Sequence, residues 1–317
     1  MRIAVLGVGS IGGVVLGALC DTDADLVAVS RGGLAANLAE IGLILHTPEG
    51  TIEMIPPERF IVVDSGAGPV SGQVRGTCEA AIICGKAAST SVLAQLAEEL
   101  LVDDGVAVSI QNGLGHSETL AHRLGRERVL GGSITHAAWR DSEETVHWVG
   151  RGSVRLGALD GGRPMGHAAR LLNALEEAGL DAIWCEDVGR VVWRKLLLNV
   201  AINPVCAIAG VPNGAMLEQP ELFEAGLAAM EEAAMVASAE GVDMSDIDLA
   251  TVLEDLCKRT AGNRVSMLQD LMAGRITEVD SICGEVIRRG EELGISTPRN
   301  QTLLALVKGI EVSSNYD

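Results

Sequence analysis

Lys195, Asn199 and Asn203 follow one another at four-residue intervals in "WRKLLLNVAINPV", an otherwise apolar stretch over 193–205. At about 100° per helical residue, this spacing draws one polar line along an oily helix. Polar groups in such a setting need partners. A lysine ammonium can give its proton to an oxygen on which negative charge builds, and it stabilises that charge meanwhile. Burial lowers a lysine pKa toward a useful range, and a nearby carboxylate opposes the shift. Asparagine amides hold a polar molecule without adding charge. The plain alternatives are a lysine that snorkels to water and asparagines that cap or bond locally. A lysine and two asparagines on one face favour chemistry over these.

A second constellation sits at the N-terminus. "GVGSIG" places Gly7, Gly9 and Gly12 in G-x-G-x-x-G spacing, with Val8, Ser10 and Ile11 between them. The apolar run "RIAVLGV" leads in as a strand and "SIGGVVLGALC" leads out as a helix, which is the context a dinucleotide site requires. Gly7 permits the tight turn, Gly9 lets a pyrophosphate approach, Gly12 allows close helix packing, and the helix N-terminus receives the anion. The next strand ends in "AVSRGG", so Ser30 and Arg31 stand where an NAD site usually carries an acid. A guanidinium suits a 2′-phosphate, so NADPH/NADP+ is the expected cofactor. The alternative is a surface arginine. Lys86 ends "AAIICGK", at the strand end where doubly wound sheets bind ligands; it either offsets phosphate charge or is solvated.

Positioning these groups takes alternating elements. Strands at 25–31, 78–86 and 106–113 alternate with helical stretches, including "STSVLAQLAEELL" with Ser89 or Thr90 as its cap. "LILHTPEGTIEMI" predicts a hairpin insertion, and "TVHWVGRGSVRLGAL" (145–159) a second hairpin closing the domain. After Asp187 helical periodicity takes over, with breaks near Pro212, Gly214, Gly241, Gly262, Gly274 and Gly294. The fold class expected is α/β: an N-terminal Rossmann-like doubly wound sheet over 1–186, followed by an all-α domain over 187–317.

Bulk properties narrow the function. A net charge of −19 disfavours nucleic acid and anionic membrane surfaces, and an anionic substrate would need local cations. The seven cysteines, odd in number and without C-x-x-C, read as buried small hydrophobes in a reducing, cytoplasmic setting, and no metal site is expected. His116, His122, His136 and His147 lack metal-ligand spacing. The uncharged run at 3–20 mimics a signal peptide and that at 196–217 a membrane span, but glycines punctuate the first, and asparagines and prolines the second.

With these residues in place, the chain resembles the ketopantoate reductase (2-dehydropantoate 2-reductase) family over nearly its whole length. The resemblance rests on "GVGSIG" (7–12), "QNGLG" (111–115), "THAA" (135–138), "WRKLLLNVAINP" (193–204), "PNG" (212–214) and "SMLQDLMAGRITEVD" (266–280). It implies that Lys195 donates the proton and that Glu278 lies near the cofactor and reacting centre. Asn199, Asn203, Asn213 and Ser266 would bind substrate, and Asn112 would stand between nicotinamide and substrate. Arg31, Lys86 and Ala138 would contact the cofactor. The implied activity is NADPH-dependent reduction of 2-dehydropantoate to (R)-pantoate in pantothenate and coenzyme A biosynthesis. A paralogue acting on another branched 2-keto acid, or a catalytically silent NADP(H)-binding regulator, are the alternatives, and a homodimer is left open.

Overall fold

The computed structural model describes residues 1–313 of the 317-residue chain, so 314–317 of the expected second domain lie outside the described residues. Internal contacts divide it into two units. The first is Met1–Gln111 with His116–Val188; the second is Asn112–Gly115 with the residues from Gly189 onward.

The first unit runs β1 (Arg2–Leu6), α1 (Ser10–Cys20), β2 (Asp25–Ser30), α2 (Gly33–Glu40), β3 (Leu43–His46), β4 (Ile52–Ile55), β5 (Phe60–Asp64), β6 (Cys78–Ile83), α3 (Thr90–Leu100), β7 (Leu101–Ser109), α4 (His116–Leu124), β8 (Val129–Ile134), β9 (Ala137–Arg140), β10 (Thr145–Gly150), β11 (Val154–Ala158), α5 (Gly166–Glu177) and β12 (Ala182–Trp184). Eight strands form one sheet in the order β12-β11-β8-β7-β6-β1-β2-β5, parallel except where β11 meets β8. Alternation along β1 shows why it is doubly covered. Ile3 and Val5 enter one core with α1 and α5, while Ala4 and Leu6 enter another with α3 and α4. Each fully buried Ile, Leu or Val contributes roughly 1.5–3 kcal/mol, so central strands must be apolar on both faces.

A second sheet, in the order β4-β3-β10-β9, lies against α1. The expected hairpin β3–β4 is present, antiparallel from Leu43↔Ile55 to His46↔Ile52. The expected hairpin over 145–159 is not. β10 pairs with β9 and β3 in the small sheet, while β11 pairs with β8 and β12 in the large one. Inward Val146 and Trp148 on β10 pack toward α1, and Val154 and Leu156 on β11 join the core beside the large sheet. The expected side-chain cap on α3 is also absent. Ser89 Oγ donates to the Lys86 carbonyl and Thr90 Oγ1 to the Ala87 carbonyl, closing the short turn Ala87–Ser89 ahead of the helix.

The second unit is helical: α6 (Val188–Ala209), α7 (Ala215–Glu218), α8 (Pro220–Ala239), α9 (Leu249–Arg259), α10 (Ser266–Met272), α11 (Glu285–Leu293) and α12 (Pro298–Ser313). Among the described residues α6 alone is long and apolar enough to cross a membrane, but it is a core helix: Leu196, Leu197, Val200, Ala201, Val205 and Cys206 pack against α8, α9 and α11 residues in one cluster. At the start of α12 the buried Glu232 carboxylate accepts the Arg299 and Asn300 N–H groups and the Asn300 amide, which satisfies otherwise orphaned donors.

Candidate active site

In the first unit, the 7–12 turn has the geometry a dinucleotide requires. Gly7 takes φ +89°, and a Cβ there would come within 2.4 Å of the Gly85 backbone. A Cβ on Gly12 would meet the Gly7 carbonyl oxygen at 2.2 Å, whereas one on Gly9 would have no neighbour within 4 Å. Two glycines therefore close the turn and the third opens it, and α1 begins there without a side-chain cap on its first N–H groups. An anion of pyrophosphate type fits such an arrangement. Val8 is fully buried; Ser10 and Ile11 are half-buried at the helix start.

Arg31 is exposed immediately after β2, beyond Ser30. The reading that no acid ends this strand holds for β2 itself, but the fold brings two from elsewhere. Asp64, which pairs with Ser30 across the sheet, accepts the Gly32 N–H at 3.2 Å, and the Glu143 carboxylate would lie 2.6 Å from a Cβ on Gly33. Lys86 is exposed in the loop after β6, and Ala138 is half-buried on β9 opposite Trp148.

The Gln111 side chain closes a buried polar network in this unit. Its Nε2 donates to the Gly85 carbonyl at 2.7 Å and to Thr90 Oγ1 at 3.0 Å, and its Oε1 accepts from Ser109 at 3.0 Å. Thr90 also bonds His116 Nδ1 at 3.1 Å, which makes His116 a structural residue. Only the glutamine ahead of "NG" signals this network in the sequence.

The second unit assembles the lysine site. Lys195 Nζ donates to Asn112 Oδ1 at 2.9 Å, and Asn112 Nδ2 donates to Glu278 Oε2 at 3.1 Å. An ammonium only donates and a carboxylate only accepts, so the amide orientation is dictated from both ends. Burial pushes the Lys195 pKa down to about 8, and the Glu278 carboxylate opposes part of that shift. Gly113 explains how Asn112 reaches this position. It takes φ +95°, a Cβ there would meet the Ser281 carbonyl oxygen at 2.2 Å, and the Leu114 N–H bonds that same oxygen at 2.9 Å. The "NG" loop is thus docked on the π-helical segment Asp280–Gly284, just past Glu278.

The other expected polar residues lie in the same unit. Asn199 is half-buried and Asn203 buried on α6. Ser266 is exposed at the first residue of α10. Asn213 is buried after α6. Its Nδ2 donates to Thr260 Oγ1 at 2.8 Å, and its Oδ1 is buried with no partner among the described residues. Thr260 already donates its own proton to the Leu256 carbonyl, which fixes the Asn213 amide with its acceptor unsatisfied.

Taken together, a dinucleotide-type α/β unit and a half-buried lysine–amide–carboxylate chain in a helical unit define an oxidoreductase. Residues 3–161 match the family described as Ketopantoate reductase PanE/ApbA, and residues 187–311 match its C-terminal part. The chain belongs to the ketopantoate reductase PanE/ApbA family. It is 38% identical over 226 residues to a 2-dehydropantoate 2-reductase of Archaeoglobus fulgidus, covering 71% of this chain and 74% of that one. It is 31% identical to the protein of that name from Halobacterium salinarum, covering 97% and 98% of the two chains. Among solved structures, a PanE/ApbA family ketopantoate reductase from Ralstonia eutropha superposes with a TM-score of 0.87 at 27% identity, over 99% of this chain and all (100%) of that one. D-mandelate dehydrogenase, solved with NADH and anilino(oxo)acetate, shares the fold with a TM-score of 0.88 at 24% identity, over 99% of this chain and 100% of that one.

Proposed function

We propose that this protein is an NADPH-dependent 2-dehydropantoate 2-reductase that forms (R)-pantoate for pantothenate and coenzyme A biosynthesis in the cytoplasm. The observation that carries the reading is the Lys195–Asn112–Glu278 relay, whose lysine titrates near the operating pH of a general acid. When bound at the 7–12 turn, the nicotinamide cofactor would supply a hydride for the carbonyl carbon of the substrate. Lys195 gives its proton to the carbonyl oxygen as that oxygen becomes an alkoxide, and its positive charge stabilises the developing anion. Asn112 orients the ammonium through Oδ1. Glu278 holds the other end of that amide and keeps the lysine from losing its proton too readily.

Substrate recognition falls to the neutral groups. The buried, unpartnered Asn213 Oδ1 is an acceptor suited to a substrate hydroxyl. Asn199, Asn203 and Ser266 supply further amide and hydroxyl groups, and none adds negative charge beside a substrate carboxylate. The Gly7, Gly9 and Gly12 turn with Ser10 at the head of α1 holds the cofactor pyrophosphate, with Val8 and Ile11 backing it. Arg31 reads the 2′-phosphate, and Lys86 and Ala138 complete the cofactor contacts.

The experiment is NADPH oxidation on adding a panel of 2-keto acids. Turnover highest with ketopantoate supports the reading. Turnover highest with another branched 2-keto acid replaces the substrate assignment, and NADPH binding without turnover on any of them replaces catalysis with a regulatory role.

A further inference from the structure

The glycine turn is braced from the second sheet. Arg140 is the last residue of β9, and its Nη2 lies 3.0 Å from the Val8 carbonyl oxygen and 3.3 Å from that of Gly9. A Cβ on Gly13 would lie 3.2 Å from the same nitrogen, so the guanidinium is packed against the first turn of α1. Its Nη1 donates to the Glu143 carbonyl within the β9–β10 turn. Its Nε is buried without a partner among the described residues. Burial lowers the Arg140 pKa to about 10, against Glu143, Glu144 and Asp141, which raise it, so the guanidinium stays charged at neutral pH.

An anion cradle works only if its N–H groups face the anion and its carbonyls turn away. In a trans peptide the carbonyl and the next N–H point in opposite directions. Donating to the Gly9 carbonyl from behind, together with the Gly13 N–H at 2.9 Å, holds the Ser10 N–H on the opposite side. Glycine at position 9 has no Cβ to hold that plane by itself. The brace also places a partly desolvated positive charge behind the turn of a chain whose net charge is −19.

We propose that Arg140 is a positioning residue of the nucleotide site, fixing the Gly9–Ser10 peptide plane so that the Ser10 N–H faces a pyrophosphate. The proposal rests on reading the 7–12 turn as a dinucleotide site, and its test separates the two. Binding of NADPH, of ADP and of adenosine 2′-monophosphate, which lacks the pyrophosphate, is measured calorimetrically for wild type, Arg140→Lys, Arg140→Met and Arg140→Ala, with circular dichroism and melting of each. Arg140→Met is expected to lose roughly tenfold or more in NADPH and ADP affinity, the scale of a charge-assisted hydrogen bond, while adenosine 2′-monophosphate binding changes less than about twofold. Arg140→Lys keeps the charge and one donor, so its loss is smaller. Millimolar methylguanidinium restores part of the ADP affinity of Arg140→Ala. Unchanged ADP affinity in Arg140→Met overturns the proposal. So does an equal loss for all three nucleotides, which marks general loosening. Wild type that binds none of them overturns the underlying reading instead.

Discussion

The Lys195 ammonium lies 2.9 Å from Oδ1 of Asn112, a residue 83 positions earlier in the chain. The two charged groups of the site, Lys195 and Glu278, are thereby joined through one neutral amide that accepts from the first and donates to the second. Lys195→Ala removes the proposed proton donor and leaves the amide. We expect kcat to fall by at least about 10²-fold, the usual scale for a general acid, with NADPH affinity held within about twofold. Near-normal turnover in a folded variant would take Lys195 out of the mechanism.

Gly113→Ala tests how the amide is placed. Alanine at φ +95° is strained, and its Cβ would strike the Ser281 carbonyl. We expect a loss of more than about 1 kcal/mol of stability, read in denaturant melts, together with reduced kcat. A variant as stable and active as wild type would show that the loop does not need this docking.

Much of this was readable from residue types. The β1–α1 turn carries its glycines in order, and the Lys195, Asn199 and Asn203 line marks α6 as a core helix with polar work to do. What escaped was pairing over distance. β10 and β11 both alternate and are separated by "RGS", as a hairpin would be, yet each finds its partners in a different sheet. Local periodicity reports which face is buried and not what it is buried against. Arg140 gave no signal because the turn carbonyls it meets, those of Val8 and Gly9, are more than a hundred residues away. The Asp64 and Glu143 carboxylates beside the turn after Arg31 were invisible for the same reason.

Those two acids bear on cofactor choice. Arg31→Ala should weaken NADPH binding and leave NADH nearly unchanged, because only the 2′-phosphate needs the guanidinium. Glu143 also accepts from Asn37 at 2.7 Å, so it sits at the start of α2 where a 2′-phosphate would be repelled. Glu143→Gln should therefore shift the preference further toward NADPH. Calorimetric titration of both cofactors decides this; equal losses for NADPH and NADH in Arg31→Ala would contradict the assignment.

On the proposed function, substrate choice rests on amides that reject a molecule lacking the matching hydroxyl. Wild type should prefer ketopantoate over 2-ketoisovalerate, which has no hydroxymethyl arm. Asn213→Ala and Asn203→Ala should each narrow the ratio of kcat/KM values several-fold, since one neutral hydrogen bond is worth about 0.5–1.5 kcal/mol. A variant that discriminates as well as wild type would assign its asparagine to structure alone.

The proton donor itself is tested most directly by the pH dependence of kcat/KM for ketopantoate reduction. A general acid must be protonated, and Lys195 is fully so below its pKa and deprotonated above it. Activity should hold steady below about 8 and decline as pH rises through that value. Asn112→Asp adds a carboxylate beside the ammonium and should move the decline to higher pH. Glu278→Gln removes the opposing charge and should move it lower. A decline that ignores both substitutions, or activity that stays level to pH 10, would contradict Lys195 as the acid.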